Sequence, residues 1–512
     1  MPSTYRLFGW VFPRALAVIY IIAFASWSWQ AEALTGEKGI MPVPKFLENA
    51  AAYSQREDIV AWTQFPTVYW LGYSDAFAQW LCLGACLAAA LVMAGVLQGP
   101  LLLALWFAYL SICTTGDVFL GYQWDVLLLE AGFIAAIIAP WRFFVGRIRE
   151  RTPAPSRVQM LLPQALILKL MFLSGLTKIT AGDPSWHNLT ALAHHYETQP
   201  IPTWVAWHVH QFPLWFHKTS CFLMFVVELV VPLLILVIWF WELIASSWVR
   251  TLRALKLSVA ASFTGLMIIT LCTGNYTFFN WLTILLALSL LDDGCWPFFV
   301  KRCLRWTDTP LKRPTWMLAT QGAMVTLMLL LSLTVAVRDN LPGNSSLFST
   351  LHDLTRRLQP FRSANSYGLF RVMTTERNEI VIEVSDDGVY FQPMEFKWKP
   401  GRLDRAPPFV APHQPRLDWQ MWFASLHPGF IPQRDMSSPH MVWFASFLAA
   451  LLDHNEKVYA LMEPPPFPIE SIRAVRAKFY RYEFTDAETR RKTGAWWTVT
   501  ALGDYSPTFR SR

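Results

Sequence analysis

The first 340 residues carry one apolar stretch after another, each long enough, or nearly so, to cross a bilayer as a helix. Crossing segments satisfy their backbone hydrogen bonds internally and need about 20 mostly apolar residues. Nine segments fit: 12–30, 77–97, 100–114, 118–140, 162–180, 219–243, 257–274, 276–291 and 315–337. The third is short, and the seventh and eighth are nearly joined through "TGNY". Charged residues make up only 15% of the chain, against roughly 25% in soluble domains. With 26 Trp and 36 Phe, that shortage of charge is a polytopic membrane signature. The net charge of +7 sits beside apolar runs, so no nucleic-acid partner is expected; the bilayer is.

The basic residues orient the spans. Arg6 and Arg14 flank the first, and Arg142, Arg147, Arg149, Arg151 and Arg157 follow the fourth. Arg250, Arg253 and Lys256 follow the sixth, and Lys301, Arg302, Arg305, Lys312 and Arg313 the eighth. With nine spans all these clusters fall on one side, which the positive-inside rule makes cytosolic. Residues 31–76, 181–218 and everything after about 338 are then extracytosolic. The first span lacks a clear small-residue cleavage site before "WSWQAEAL" and reads as an uncleaved anchor.

Residues 341–512 form a second expected domain after the multispanning domain 1–340. "NEIVIEVSDDGVYFQPMEFKW" (378–398) reads as a hairpin turning at Asp387-Gly388. "SYGLFRVM" (366–373), "SIRAVRAKFYRYEFT" (471–485) and "GAWWTVTAL" (494–502) read as strands, and 416–426 and 440–452 as helices. The expected fold is thus a polytopic α-helical membrane protein with a β-rich α+β extracytosolic domain. None of the seven cysteines lies after residue 303, so that domain is not disulfide-stapled.

Ionisable residues inside the spans need partners, because hydrocarbon charges several kcal/mol for an unpaired ion. Asp125, Glu130, Lys169, Lys178 and Glu228 are such residues. At 1.5 Å per residue, Glu130, Lys169 and Glu228 fall at similar depth, so Lys169 is expected between two carboxylates. Lys178 is expected to meet Asp125 or Asp183. Asp125 and Glu130 stand about 140° apart around one helix and form no acid–base dyad alone.

The loop 181–218 carries His187, His194, His195, His208, His210 and His217, without a nearby Cys or HExxH spacing, so no metal is expected. Trp186, Trp204, Trp207 and Trp215 read there as interfacial belt residues. In "PHQPRLDW" (412–419), His413, Arg416, Asp418 and Trp419 are candidates for bridging domains or touching a client. A catalytic His-Asp pair would need a nucleophile, and no GxSxG elbow is present. No Walker loop, dinucleotide fingerprint or zinc finger occurs, so no cofactor is expected. "NLT" (188–190) and "NSS" (344–346) fit the glycosylation pattern on the extracytosolic side, whereas "NYT" (275–277) lies too near the membrane.

Five stretches, in order, resemble the lipase maturation factor family: "QWDVLLLEAGFIAAIIAPW" (123–141), the run from "LKLMFLSGLTKITAGDPSW" to "FPLWFHK" (168–218), "LCTGNYTFFNWLTILLALSLLDD" (271–293), "NSYGLFRVMTTERNEIVIE" (365–383) and "APHQPRLDWQMWFASL" (411–426). The resemblance implies a multispanning membrane protein with a large luminal C-terminal domain that helps secreted lipases reach their active fold. It implies the endoplasmic reticulum membrane in a eukaryote, the inner membrane with a periplasmic domain in a bacterium, and secreted lipase-like clients. It supplies no catalytic residue set. A distant likeness to the vitamin K-dependent carboxylase group keeps an alternative open: a membrane-embedded enzyme using Glu130, Lys169 and Glu228 on a lipid-side substrate. A polar cavity holding all three would favour that alternative; a dry, paired arrangement favours a scaffold.

Overall fold

The structure, a computed structural model, describes residues 4–146, 154–244, 249–297, 300, 315–340, 349–430 and 441–511. Among the described residues nine apolar helices build the membrane half. They are α1 (Arg6–Thr35), α2 (Asp75–Ala94), α3 (Gln98–Thr115), α4 (Gln123–Ile138), α5 (Arg157–Thr180), α6 (Leu214–Ile244), α7 (Val249–Thr273), α8 (Phe279–Leu290) and α9 (Thr315–Asn340). Among the described residues seven are, by length and composition, long and apolar enough to cross a membrane; α4 and α8 are shorter. The expectation of about nine spans is therefore not confirmed. α4 has 16 residues, about 24 Å at 1.5 Å each, against a hydrocarbon core of about 30 Å. The apolar run that seemed to begin at 118 starts with a 3-10 turn, Asp117–Phe119, and only then becomes α4. α8 lies in the middle of the bundle, with Phe279, Leu282, Leu285 and Leu286 buried.

Successive helices run in alternating directions, so the bundle has two ends. At one, Asp293 accepts the N–H groups of Arg6 (3.1 Å) and Leu7 (3.0 Å) and so caps α1. Arg14, Arg157, Arg250 and Arg253, by their positions in α1, α5 and α7, and Arg142, just past the end of α4, lie toward that same end. The basic stretches 147–151 and 301–313 and the "NSS" site lie outside the described residues, except Val300 beside them.

The tail docks on the opposite end. Its sheet runs β2-β1-β3-β4, all antiparallel, with β1 Arg377–Ser385, β2 Gln392–Met394, β3 Ala474–Phe484 and β4 Trp497–Asp504; β5, Phe509–Arg510, pairs with β3. Alternation puts Ile380, Ile382 and Val384 on one face of β1, all fully buried. α11 (Val442–Leu452) packs Trp443, Phe444, Phe447 and Leu448 into the same core, and α10 (Arg416–Ser425) lies between the sheet and the helices. The hairpin, both late strands and both helices form where the sequence places them. The stretch 366–373 does not become a strand; it is an irregular segment drawn onto the bundle by the contacts given below.

Candidate functional site

Two clusters of buried charge join the tail to the helices. At the first, Arg416 at the start of α10 meets Asp125 in the first turn of α4. Arg416 Nη1 and Nη2 donate to Asp125 Oδ2 and Oδ1, both at 2.8 Å, a bidentate fork. Nη1 also donates to the Phe119 carbonyl (2.6 Å), and Tyr109 Oη donates to Asp125 Oδ1 (2.5 Å). Asp125 and Arg416 are buried. The end of α1 holds the approach to this pair: Gln30 accepts from the Arg416 N–H (2.8 Å) and donates to the Gln414 carbonyl (2.7 Å). Ser26 Oγ lies 2.9 Å from His413 Nδ1. Pro415 supplies the extended residue that starts α10, and Asp418 one turn on accepts the N–H groups of Trp398 and Lys399, both at 2.9 Å.

At the second cluster, Glu130 lies seven residues along α4. One oxygen takes Lys169 Nζ (2.5 Å), which also reaches Ser332 of α9 (2.5 Å). The other accepts Tyr367 Oη (2.8 Å), the Asn365 N–H (3.1 Å) and its side-chain amide (3.2 Å). The "NSYG" stretch therefore dips into the bundle to close the valences of a membrane carboxylate, which is why it is not free to be a strand.

The expected triad is not formed. Glu228 pairs with Lys178 (2.7 Å), not Lys169. Pro232 has no N–H for the Glu228 carbonyl, and α6 widens into a π-turn at Val226–Val230, the turn that carries Glu228. Gly175 allows the approach: a Cβ there would lie 2.7 Å from Leu229. Lys178 thus meets neither Asp125 nor Asp183; Asp183 instead accepts the Met373 N–H (2.5 Å).

Polar clamps that no charge pattern announced complete the seam. Asn275 donates to the carbonyls of Ile201 (3.1 Å) and Pro408 (2.9 Å) and accepts from Val410 (2.7 Å) and Ala411 (3.0 Å). Arg377 donates to the carbonyls of Glu197, Gln199 and Pro200 and to Glu379, which also binds Lys399 (2.6 Å). At the other end of the bundle Lys256 joins Glu242 (2.5 Å) and Asp292 (2.8 Å). The adjacent acids of "LLDD" after an apolar run are the one sequence signal that could have found this last group.

The tryptophans divide. Trp204 and Trp215 remain exposed (45% and 68%). Trp186 and Trp207 are not belt residues, because the tail covers them. Trp186 Nε1 donates to the Phe370 carbonyl (3.1 Å), and Trp207 packs edge-on against Trp496, with ring centroids 5.5 Å apart. His413, Arg416 and Asp418 are likewise committed to polar contacts inside the molecule, whereas Trp419 packs on Trp124 and faces the cleft described next. Of the loop histidines, His195 lies 3.1 Å from Tyr276 Oη, and His210 3.7 Å from Glu197. Where the seam opens, a cleft of about 730 Å³ remains, walled by Tyr122, Trp124, Phe370, Trp419, Trp422 and Phe423.

The seam titrates. Burial pushes the His413 and His195 imidazoles from the usual 6.5 down to about 4. The unfolded chain therefore binds protons between pH 6.5 and 4 that the folded chain refuses, and the stability these histidines give near neutrality is lost as pH falls through that window. Asp418 has the opposite sign: burial raises its carboxyl to about 6, so its neutral form favours the folded state at low pH. From pH 7 to 5 the two imidazoles outweigh the one carboxyl, and the melting free energy should drop by about 1–3 kcal/mol. Asp418→Asn should steepen that loss. Thermal melts at the two pH values check this; equal or greater stability at pH 5 would refute it.

Residues 7–298 match the lipase maturation factor transmembrane domain, and residues 363–507 the lipase maturation factor C-terminal domain. Lipase maturation factor 2 of Gallus gallus is 33% identical over 97% of this chain and 80% of its own length. The Homo sapiens lipase maturation factor 2 is 31% identical over 98% and 82%, and the Mus musculus lipase maturation factor 1 is 30% identical over 99% and 88%. No solved structure gives a match.

Proposed function

Because the chain belongs to the lipase maturation factor family, we propose that it is a membrane-bound maturation factor assisting the folding and assembly of secreted client enzymes, lipases in the first instance. The observation that carries this reading is the match of both family domains in order along nearly the whole chain. The clients' compartment is then the side on which the tail docks, opposite the arginine-rich end of the bundle. On this reading the protein sits in the endoplasmic reticulum membrane of a eukaryote or the inner membrane of a bacterium, with residues 341–512 as a luminal or periplasmic domain on the multispanning domain 1–340.

The physical role follows from the seam. Asp125, Glu130, Lys169, Lys178 and Glu228 act as structural charges that hold the tail and the helices in register, not as reacting groups. A partly folded client exposes apolar surface and unpaired strand edges, and a fixed aqueous-side platform beside the bilayer shields them. The aromatic cleft and the exposed Trp204 and Trp215 are the surfaces available for this. The enzymatic alternative needed Glu130, Lys169 and Glu228 together, and they stand in two separate pairs.

The test is secretion of active lipase from cells lacking the protein. Wild type should restore it, and a chain truncated at residue 340 should not. Restoration by the truncated chain, or none by wild type, would contradict the proposal.

A further inference from the structure

We infer that the free edge of β4 is a strand-addition site, where an extended segment of an incompletely folded protein joins the tail sheet as an added strand. The inference rests on the maturation reading for the identity of its occupant, and on geometry for the site.

β4 ends the sheet, and its register on β3 tells which backbone groups are spent. Thr498, Val499, Thr500 and Ala501 stand opposite Glu483, Tyr482, Arg481 and Tyr480. The Thr485 N–H donates to the Trp496 carbonyl (3.1 Å), while the Phe484 N–H turns away from β4 to the Glu197 carboxylate (2.7 Å). Bonded positions alternate along an antiparallel pair. Thr498 and Thr500 are therefore the members that bond to β3, and Val499 and Ala501 direct both N–H and C=O outward. Among the described residues nothing bonds to those outward groups.

This edge also lacks the usual guards. Natural edges are blunted by proline, by lysine or by extreme shortness. β4 is eight residues, "WTVTALGD", with no proline and no cation; its irregularity is a register shift near Ala501, toward its end. From Thr498 to Asp504 every residue is exposed, so neither face of the strand is covered by the described residues. The opposite edge strand, β2, has only three residues.

An unspent ladder of alternating donors and acceptors is complementary to one kind of partner, another extended backbone. Along its exposed stretch Leu502 is the largest side chain and the rest are Thr, Val, Ala, Gly and Asp, which select little, so binding is tolerant of sequence, as a site serving a varied or partly folded chain requires. A second copy of this chain fits less well: two eight-residue strands bearing such side chains bury far less than the roughly 1,200 Å² of a stable dimer.

The test uses the full-length protein in phosphatidylcholine nanodiscs. The probe is a fluorescein-labelled eight-residue peptide of alternating Thr and Val, beside the same peptide N-methylated at every residue. Wild type should bind the first and not the second. Val499→Pro removes an outward donor without touching the bonds to β3 and should weaken binding about tenfold or more, while Val499→Thr should keep it. Equal binding of the N-methylated peptide, or no effect of Val499→Pro, would overturn the inference. So would free protein that is dimeric and becomes monomeric with Val499→Pro, which would assign the edge to a second copy. The N-methylated probe needs no variant, so a misfolded mutant cannot produce the expected pattern by itself. Lipase secretion restored by wild type with no peptide binding would sink this inference alone. The expected peptide pattern with no restored secretion would sink the maturation reading and leave the edge as a strand acceptor.

Discussion

Arg416→Met is expected to weaken the docked tail by about 3–5 kcal/mol, because it strands Asp125 as a buried charge. Asp125 is 0% exposed and loses both arms of the fork, keeping only the Tyr109 hydroxyl. The Phe119 carbonyl loses its donor as well. Asp125→Asn should cost a similar amount, because the guanidinium is left in the same apolar surroundings. The double variant Asp125→Leu with Arg416→Met removes both charges and should recover much of the loss, since a buried pair is weak evidence for net stability while a broken one is expensive. Thermal unfolding in detergent, read together with proteolytic release of the tail, measures the effect. A change below about 1 kcal/mol in either single variant would mean that the fork does not hold the two halves together.

Glu130→Gln is expected to cost at least as much, and to act in two places. Lys169 loses its carboxylate in the apolar middle of the bundle, keeping the Ser332 hydroxyl and the face of the Tyr367 ring. The amide that replaces the carboxylate also weakens the bonds from Asn365 and Tyr367, so residues 363–370 should become accessible to protease before the sheet does. Lys169→Met should be milder, because Glu130 would retain three hydrogen bonds from Asn365 and Tyr367. Glu130→Gln with Lys169→Met should be more stable than Glu130→Gln alone. If the double variant is the least stable of the three, Lys169 has another partner that matters more than Glu130.

Both effects arise at places only half readable in the sequence. Apolar composition placed all nine helices, since length and hydropathy are properties of a segment by itself. It overran α4 and α8, because buried turns beside a helix are as apolar as the helix. Charges inside the spans announced that partners must exist, but rise per residue fixes only their depth. Azimuth decides who meets whom. Lys169 and Lys178 sit nine residues apart on one helix, and the π-turn ahead of Pro232 decides which of them Glu228 finds. Alternation in 378–385 and 474–484 gave the strands, because those segments bury one face in their own sheet. "SYGLFRVM" has strand-like residues too, yet Glu130 and Asp183 hold its backbone and side chains at two points, and tertiary contact overrides propensity. Trp186 and Trp207 looked like belt residues for the same reason: a segment cannot show that another part of the chain will cover it.

These contacts put the tail on the bundle end away from Asp293 and the arginines, and the proposed function requires that end to face the exported compartment. Val389, 83% exposed in the β1–β2 turn, offers a point to test this without disturbing the seam. A Val389→Cys chain whose seven native cysteines are replaced by alanine, in sealed, right-side-known vesicles, is treated with a membrane-impermeant maleimide. Labelling only after the vesicles are opened to the lumen or periplasm is the expected result; labelling from the cytosolic face of intact vesicles would contradict it.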